Sequence, residues 1–357
     1  MKTLRVVLFV VSSALTLASF AVGADKPGWF VVTDAYGQNP KNESEPKTRI
    51  VALRDDGKVR VNVRPKPESS DRRVFSPNGK MWFELCYNNG GSVRDSFRYL
   101  LIGTKDQADK DVKPLLDKRG PEPQPDYSIL QVETAQWTAS NNILLSSGYV
   151  DWGAGVEVFS YHIINPVTEK DVVDLDSLRK SLLQGAKYEE YAALSSDESQ
   201  LLCVVRSPAM GTDSGEAEHD HNTYLISFDF KRKFASVVCA FRANIQQPQW
   251  NAMGTECVFF ASNGTDGSGS NLVSNIYVYL KKYNEIEQLT NSRLANSSPS
   301  WSPDGKHIVW ISNHPGKRGS NADKAALYTM NADGTNQKLF SSDVNAVSVR
   351  WQKDEPK

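Results

Sequence analysis

The chain has 357 residues, 39% of them hydrophobic, and its 41 basic and 42 acidic side chains leave a net charge of −1. That length admits one large domain or two ordinary ones. The near-neutral balance, with no basic cluster, gives no electrostatic footing for nucleic acid or an anionic lipid surface as partner.

The N-terminus carries the first element. Lys2 and Arg5 precede an apolar run from Val6 to Phe20, and the small residues of "AVGA", Ala21 to Ala24, then offer a cleavage site. This is the pattern of a secretory leader, residues 1–24, so the mature chain of 25–357 is expected to be periplasmic or secreted. An uncleaved anchor is the alternative, but the run is short of the roughly 20 residues that a spanning helix needs. No later segment is apolar enough to cross a membrane. Export permits disulfides, and Cys86, Cys203, Cys239 and Cys257 allow three pairings. No CxxC occurs, and the cysteines sit in apolar, strand-like runs, so free thiols buried as small hydrophobes are the preferred reading.

Beyond the leader the sequence is a run of short β patterns. "WFVVTD" (Trp29 to Asp34) and "TRIVALRDDGKVRVNV" (Thr48 to Val63, turning at Asp56-Gly57) come first. Next is "RRVFSPNGKMWFELCYNN", followed by "FRYLLIGTKD". The same two-hairpin unit returns as "TAQWTASNNILLSSG" with "EVFSYHIINPVTEKDVVDL", and as "YAALSSDESQLLCVVRS" with "TYLISFDFKRKFASVV". It returns twice more, as "QPQWNAMGTECVFFASN" with "NIYVYLKKYNEIEQLT" and as "PSWSPDGKHIVWISN" with "ALYTMNADGTNQKLF". Pro303 presets φ and Gly305 accepts φ > 0 in the clearest of the first turns, while Asp333-Gly334 supplies a second hairpin turn. One helix is expected, in "DLDSLRKSLLQGAKYEEY" (Asp174 to Tyr191), with Leu175, Leu178 and Leu182 on one face.

The residue before each first turn marks the repeat: Phe75, Trp137, Leu194, Trp250, Trp301 and Trp351, at intervals of 62, 57, 56, 51 and 50. The sixth marker, in "VSVRWQKDEPK", has no strands after it. Closing the chain into a circle from Lys357 to Asp25 puts Trp351 57 residues before Phe75, inside the range of the others. The expected fold is therefore all-β: a six-bladed β-propeller of four-stranded blades, whose last blade joins the C-terminal strand to three N-terminal strands. Radial closure would remove the exposed sheet edges. An open β solenoid is the alternative, but it would not make the two terminal fragments complementary.

The units "SPSWSPDGKHIVWISN…LYTMNADGTNQKLF" and "PQWNAMGTECVFFASN…NIYVYLKKYNEIEQLT" resemble TolB-type propeller repeats. One repeat, Pro299 to Phe340, is a close match, and the others are degraded, with Leu194 for the Trp and "SPNG" or "NAMG" for "SPDG". TolB itself resembles a small α/β domain followed by the propeller, whereas here propeller repeats begin almost at once. The resemblance implies an exported propeller scaffold that binds protein or carbohydrate, and it does not imply an enzyme.

Long polar connections between the second and third strands of each unit would project from one face, the expected contact surface. They offer Asn88, Asp151 and Trp152, His219 to His221, Asn263, Asn313 and His314 as candidate binding residues. Asp151 and Trp152 pair a carboxylate with an aromatic face suited to a sugar or a peptide anchor. His219 and His221, with Asp220 between them, could give N and O ligands to a divalent metal; an acidic solvated loop tip reads the same way. No catalytic residue is assigned: GxSxG, HExxH and a phosphate-cradling Gly loop are all missing. A binding or scaffold module for a protein partner in the cell envelope is the expected function. A metal-assisted carbohydrate-active enzyme, akin to a polysaccharide lyase, or a glycan-binding propeller is the alternative.

Overall fold

The structure, a computed structural model, describes residues 28–39, 42–57, 60–63, 73–88, 97–107, 114–115, 131–151, 156–183, 187–207, 222–241, 244–265, 272–314 and 324–353. Among these it is almost wholly antiparallel β. Three N-terminal strands, β1 (Trp29–Asn39), β2 (Asn42–Arg54) and β3 (Arg60–Val63), come first. Unit 1 follows as β4 (Val74–Phe75), β5 (Met81–Asn88), β6 (Phe97–Thr104) and β7 (Pro114–Leu115). Unit 2 is β8 (Gln131–Trp137), β9 (Ile143–Asp151), β10 (Val156–Asn165) and β11 (Lys170–Val173). After helix α1 (Leu175–Leu182), unit 3 is β12 (Lys187–Leu194), β13 (Gln200–Arg206), β14 (Thr223–Asp229) and β15 (Phe234–Phe241). Unit 4 is β16 (Ile245–Trp250), β17 (Glu256–Thr265), β18 (Leu272–Leu280) and β19 (Glu285–Gln288), and unit 5 is β20 (Asn296–Trp301), β21 (His307–His314), β22 (Lys324–Asn331) and β23 (Lys338–Ser341).

The C-terminal strand β24 (Ala346–Gln352) is not an orphan. It pairs antiparallel with β1, Trp29 opposite Gln352 and Val32 opposite Val349, and the sheet runs β24-β1-β2-β3. The two ends of the chain therefore share one four-stranded sheet, here unit 6. Asp34 fastens it. Its carboxylate, 3% exposed, accepts the Asn345 backbone N–H at 2.8 Å and the Arg49 guanidinium at 2.8 Å.

Alternation puts both faces of each sheet to work. In β13, Leu201, Cys203 and Val205 pack toward unit 2, while Leu202 and Val204 pack toward unit 4. Five apolar clusters result, each shared by two consecutive units. Phe83 and Leu100 meet Val132 and Ile143 between units 1 and 2. Tyr161 and Ile163 meet Leu201 and Phe228 between units 2 and 3, with Leu175 of α1 buried in the same cluster. Trp250 and Phe259 meet Leu202 and Leu225 between units 3 and 4, and Trp301 and Trp310 meet Val258 and Ile276 between units 4 and 5. Val309 and Leu327 meet Phe30 and Val51 between units 5 and 6.

Three local readings change. The helix is shorter than expected: Asp174 caps it by accepting the Ser177 N–H, and Tyr188 to Leu194 belong to β12, paired with β13. Two of the expected long connections are shorter than their polar sequence suggests, because the ladders continue through Asp34–Arg49 and Asn39–Asn42, and through Asp151–Val156. The degraded first turns also keep the turn geometry. Asn141 and Glu198 adopt φ of 59° and 51° where other units have Gly, and the Thr138 and Ser195 hydroxyls accept the Asn142 and Gln200 N–H groups as the Ser302 hydroxyl accepts that of His307.

Candidate functional site

Each unit has a turn edge, carrying the first hairpin turn, and an opposite edge, carrying the connection between its second and third strands. The turn edges are bonded to one another. Asn78 N–H donates to Asn141 Oδ1 at 3.1 Å, Ser140 N–H to Glu198 Oε1 at 2.9 Å, and Lys281 Nζ lies 3.1 Å from Asp197. Burial raises the Asp197 carboxyl, but hydrogen bonds from Ser195, Lys281 and Ser199 outweigh it and hold the group well below the usual carboxylate range. Asp304 is lowered in the same way: burial is opposed by the Ser302 hydroxyl and the Lys306 N–H. These carboxylates are spoken for by the turns.

At the opposite edge, Asn88 ends β5, Asp151 ends β9, Asn263 lies near the end of β17, and Asn313 and His314 end β21. The backbone thus brings these five sequence candidates to the same edge of units 1, 2, 4 and 5. Asn313 is half-buried and its N–H donates to the Ala295 carbonyl at 3.1 Å. Trp152, His219, Asp220 and His221 lie outside the described residues. Among the described residues, no group of three or more His, Cys, Asp or Glu is assembled to hold a metal.

The sequence reading did not anticipate the cavity, of 460 Å³, where the first strands of units 4, 5 and 6 meet. Its lining follows the repeat register. Counting back from Trp250, Trp301 and Trp351, the three preceding positions supply Gln247-Pro248-Gln249, Ser298-Pro299-Ser300 and Ser348-Val349-Arg350. Val31 and Ile50 of unit 6 complete it. The signal for this site was in the repeat alignment itself, since residues at one register position of successive units must fall on one side of the assembly.

Two of the lining residues are strained. Gln247 and Ser298 have φ of 50° and 48°, and each sits at a break in ladder register, between Gln246 and Gln249 and between Ser297 and Ser300. A left-handed non-Gly residue costs on the order of 1–2 kcal/mol. Equivalent bulges in adjacent units place Gln247 and Ser298 in the lining of the same cavity. Neighbouring bonds hold the frame: Gln249 O accepts the Trp301 indole N–H at 3.0 Å, and Ser300 Oγ accepts the Trp351 backbone N–H at 3.1 Å. Arg350, exposed, is the one charged side chain among the described lining residues. The site offers amide and hydroxyl groups, one cation and an apolar wall, a set suited to binding; a nucleophile with an adjacent base is not among them.

No family model matches the chain. It is 30% identical over 112 residues to an uncharacterized peptidase, YuxL, of Bacillus subtilis (strain 168), a match covering 31% of this chain and 16% of that relative. Among solved structures it is similar to TolB from Acinetobacter baumannii, at 13% identity over 92% of this chain and 67% of the other, with a TM-score of 0.43. It is also similar to an oligogalacturonate lyase in complex with manganese, at 11% identity over 88% and 73% with a TM-score of 0.43. A putative TolB from Agrobacterium tumefaciens gives 13% identity over 89% of both chains and a TM-score of 0.40. The architecture described above rests on the strand pairing of this chain alone.

Proposed function

We propose that the chain is an exported, TolB-like, six-bladed β-propeller, a single domain over 25–357 behind a cleaved leader. It works as a binding or scaffold module for a protein partner of the cell envelope. The six four-stranded units are its blades, unit 6 closes the ring, and the contact surface combines the long-connection edges with the mouth of the cavity. The observation that carries this reading is the pair of strained bulges at Gln247 and Ser298, flanking a cavity whose charged side chain is Arg350. Strain kept at equivalent positions of adjacent repeats implies a use for the groups it presents. The chemistry favours a partner segment bearing a carboxylate, received by Arg350 and by the amide and hydroxyl groups beside it.

The test is capture from an envelope extract by the mature chain, with Arg350→Glu compared against Lys306→Glu on the turn edge. The proposal expects the captured partner to be lost with the first variant and kept with the second, both retaining the wild-type thermal transition. Equal capture by the two would refute it.

A further inference from the structure

The face of unit 2 turned toward unit 1 carries a chain of polar side chains that the binding reading does not use. Alternation along β10 puts Ser160 and His162 on one face with Ile164, which packs in the cluster shared with unit 1, while Tyr161 and Ile163 take the other face, toward unit 3. Ser147 of β9 stands directly across the ladder from Ser160. Asp171 of β11 stands across from Ile164, one diagonal step from His162. No local motif announces this set, because strand register is what brings residues 147, 160, 162 and 171 together.

The side chains meet in order. His162 Nδ1 lies 3.4 Å from Asp171 Oδ1, His162 Nε2 lies 3.3 Å from Ser160 Oγ, and Ser160 Oγ lies 2.7 Å from Ser147 Oγ. Ser147 is fully buried, Ser160 is half-buried, and the His162 and Asp171 side chains are 14% and 30% exposed. The chain of contacts thus runs from the interior out to solvent. It has the three parts of an activated nucleophile: a hydroxyl, an imidazole beside it, and a carboxylate that orients the imidazole. Asp171 beside Nδ1 sets the tautomer that keeps a proton on Nδ1 and turns the Nε2 lone pair toward Ser160. Both His162 contacts are longer than an ideal hydrogen bond, the usual state of such a site before substrate tightens it.

We propose that Ser160, His162 and Asp171 form a catalytic site that hydrolyses small carboxylic esters through an acyl-Ser160 intermediate. Ser160 Oγ attacks the ester carbonyl carbon and its proton passes to His162 Nε2. The carbon–oxygen bond to the alcohol then breaks, and the same proton leaves on that alcohol. Water attacks the acyl carbon, gives a proton to Nε2, and the carboxylic acid departs as Ser160 recovers its hydrogen. Asp171 stays a carboxylate throughout, a positioning residue for the ring. Ser147, whose hydroxyl touches Ser160 Oγ, is the donor nearest to the place where the oxyanion forms.

The experiment treats the mature chain with a fluorophosphonate probe, locates the adduct by mass spectrometry, and measures turnover of p-nitrophenyl acetate. The wild type should carry the adduct on Ser160 and turn over the ester. Ser160→Ala should lose both. His162→Gln should lower kcat/KM by about 10²–10⁴-fold with the thermal transition unchanged. Asp171→Asn, of the same shape, should lower kcat with little effect on KM, a split that a merely structural bond would not produce. An unlabelled wild type, an adduct on Ser147 in place of Ser160, or turnover indifferent to Ser160→Ala would overturn the proposal. Should that variant fail to fold, the site of the adduct on the wild type decides alone. None of these residues lines the cavity, so loss of this activity and loss of partner capture are independent results.

Discussion

Asp34→Ala tests whether the chain ends are clasped by one carboxylate. In the wild type, Asp34 Oδ1 accepts the N–H of Asn345, 311 residues away, and Oδ2 accepts Arg49 at 2.8 Å with Arg60 at 3.6 Å. Removing one partner of a fully buried ion pair costs about 3–5 kcal/mol. Here Arg49 and Arg60 are 41% and 38% exposed and can return to water, which reduces the loss. The charge-assisted bond to the Asn345 N–H, of order 1.5–3 kcal/mol, then dominates, and the sum is about 2–3 kcal/mol. At about 2.1 cal/mol/K of unfolding entropy per residue, a chain of this size loses roughly 3–4 °C in thermal midpoint.

Differential scanning calorimetry reads that shift, and trimming by carboxypeptidase reads where it originates. β24 should become the first strand lost, because its pairing to β1 is what the clasp protects. Asp34→Asn keeps an acceptor for Asn345 and gives up the charge, so it should fall by about 1 kcal/mol. A midpoint within about 1 °C of wild type for Asp34→Ala, with β24 equally resistant to trimming, would refute the clasp.

Two equivalent indoles predict opposite outcomes for one substitution. Trp301→Phe should cost about 1–2 kcal/mol in chemical denaturation, since it orphans the Gln249 carbonyl, whereas Trp351→Phe should be near neutral because the Trp351 indole N–H is buried without an acceptor. Asp197 predicts an acid limb. Its folded pKa lies below the unfolded value near 4, so its contribution is whole at neutral pH and fades as the pH falls through and below that value. With the side chain 51% exposed the contribution is under about 1 kcal/mol, and Asp197→Asn should flatten the stability-versus-pH curve only in that acid window. Burial pushes the Cys239 thiol up to about 12 and those of Cys203 and Cys257 higher than usual, so only Cys86 should react promptly with a thiol reagent at neutral pH, and all four after denaturation. Metal analysis of the purified chain should find no stoichiometric metal. Mn, Ca or Zn that is lost in the His219→Ala, His221→Ala double variant would replace the scaffold reading with that of a metal-assisted enzyme.

The repeat was legible because two strong signals coincide in it: turn residues whose φ is set by chemistry, and apolar alternation that both faces of every sheet need. Even the pairing of the termini followed from counting. Where the reading slipped, tertiary pairing overrode local pattern. Tyr188 to Tyr191 continue an acceptable helical sequence, yet β13 offers them a ladder, and the polar stretch after Thr33 looks like loop until Arg49 is set across from Asp34. The degraded turns survive for a related reason. Asn and even Glu take the left-handed position when a hydroxyl three residues earlier closes the turn, so the missing Gly at 141 and 198 did not mean a missing turn.

The site was less legible because the residue types that announce chemistry on their own, such as His, Asp and Trp in long loops, are not the ones that line the cavity. The cavity is made instead of positions. Gln, Ser and Pro carry little signal singly, and Arg350 reads as one more exposed charge on an edge strand. What unites them is that each stands one to three residues before a marker Trp, a relation visible only once the units are superposed.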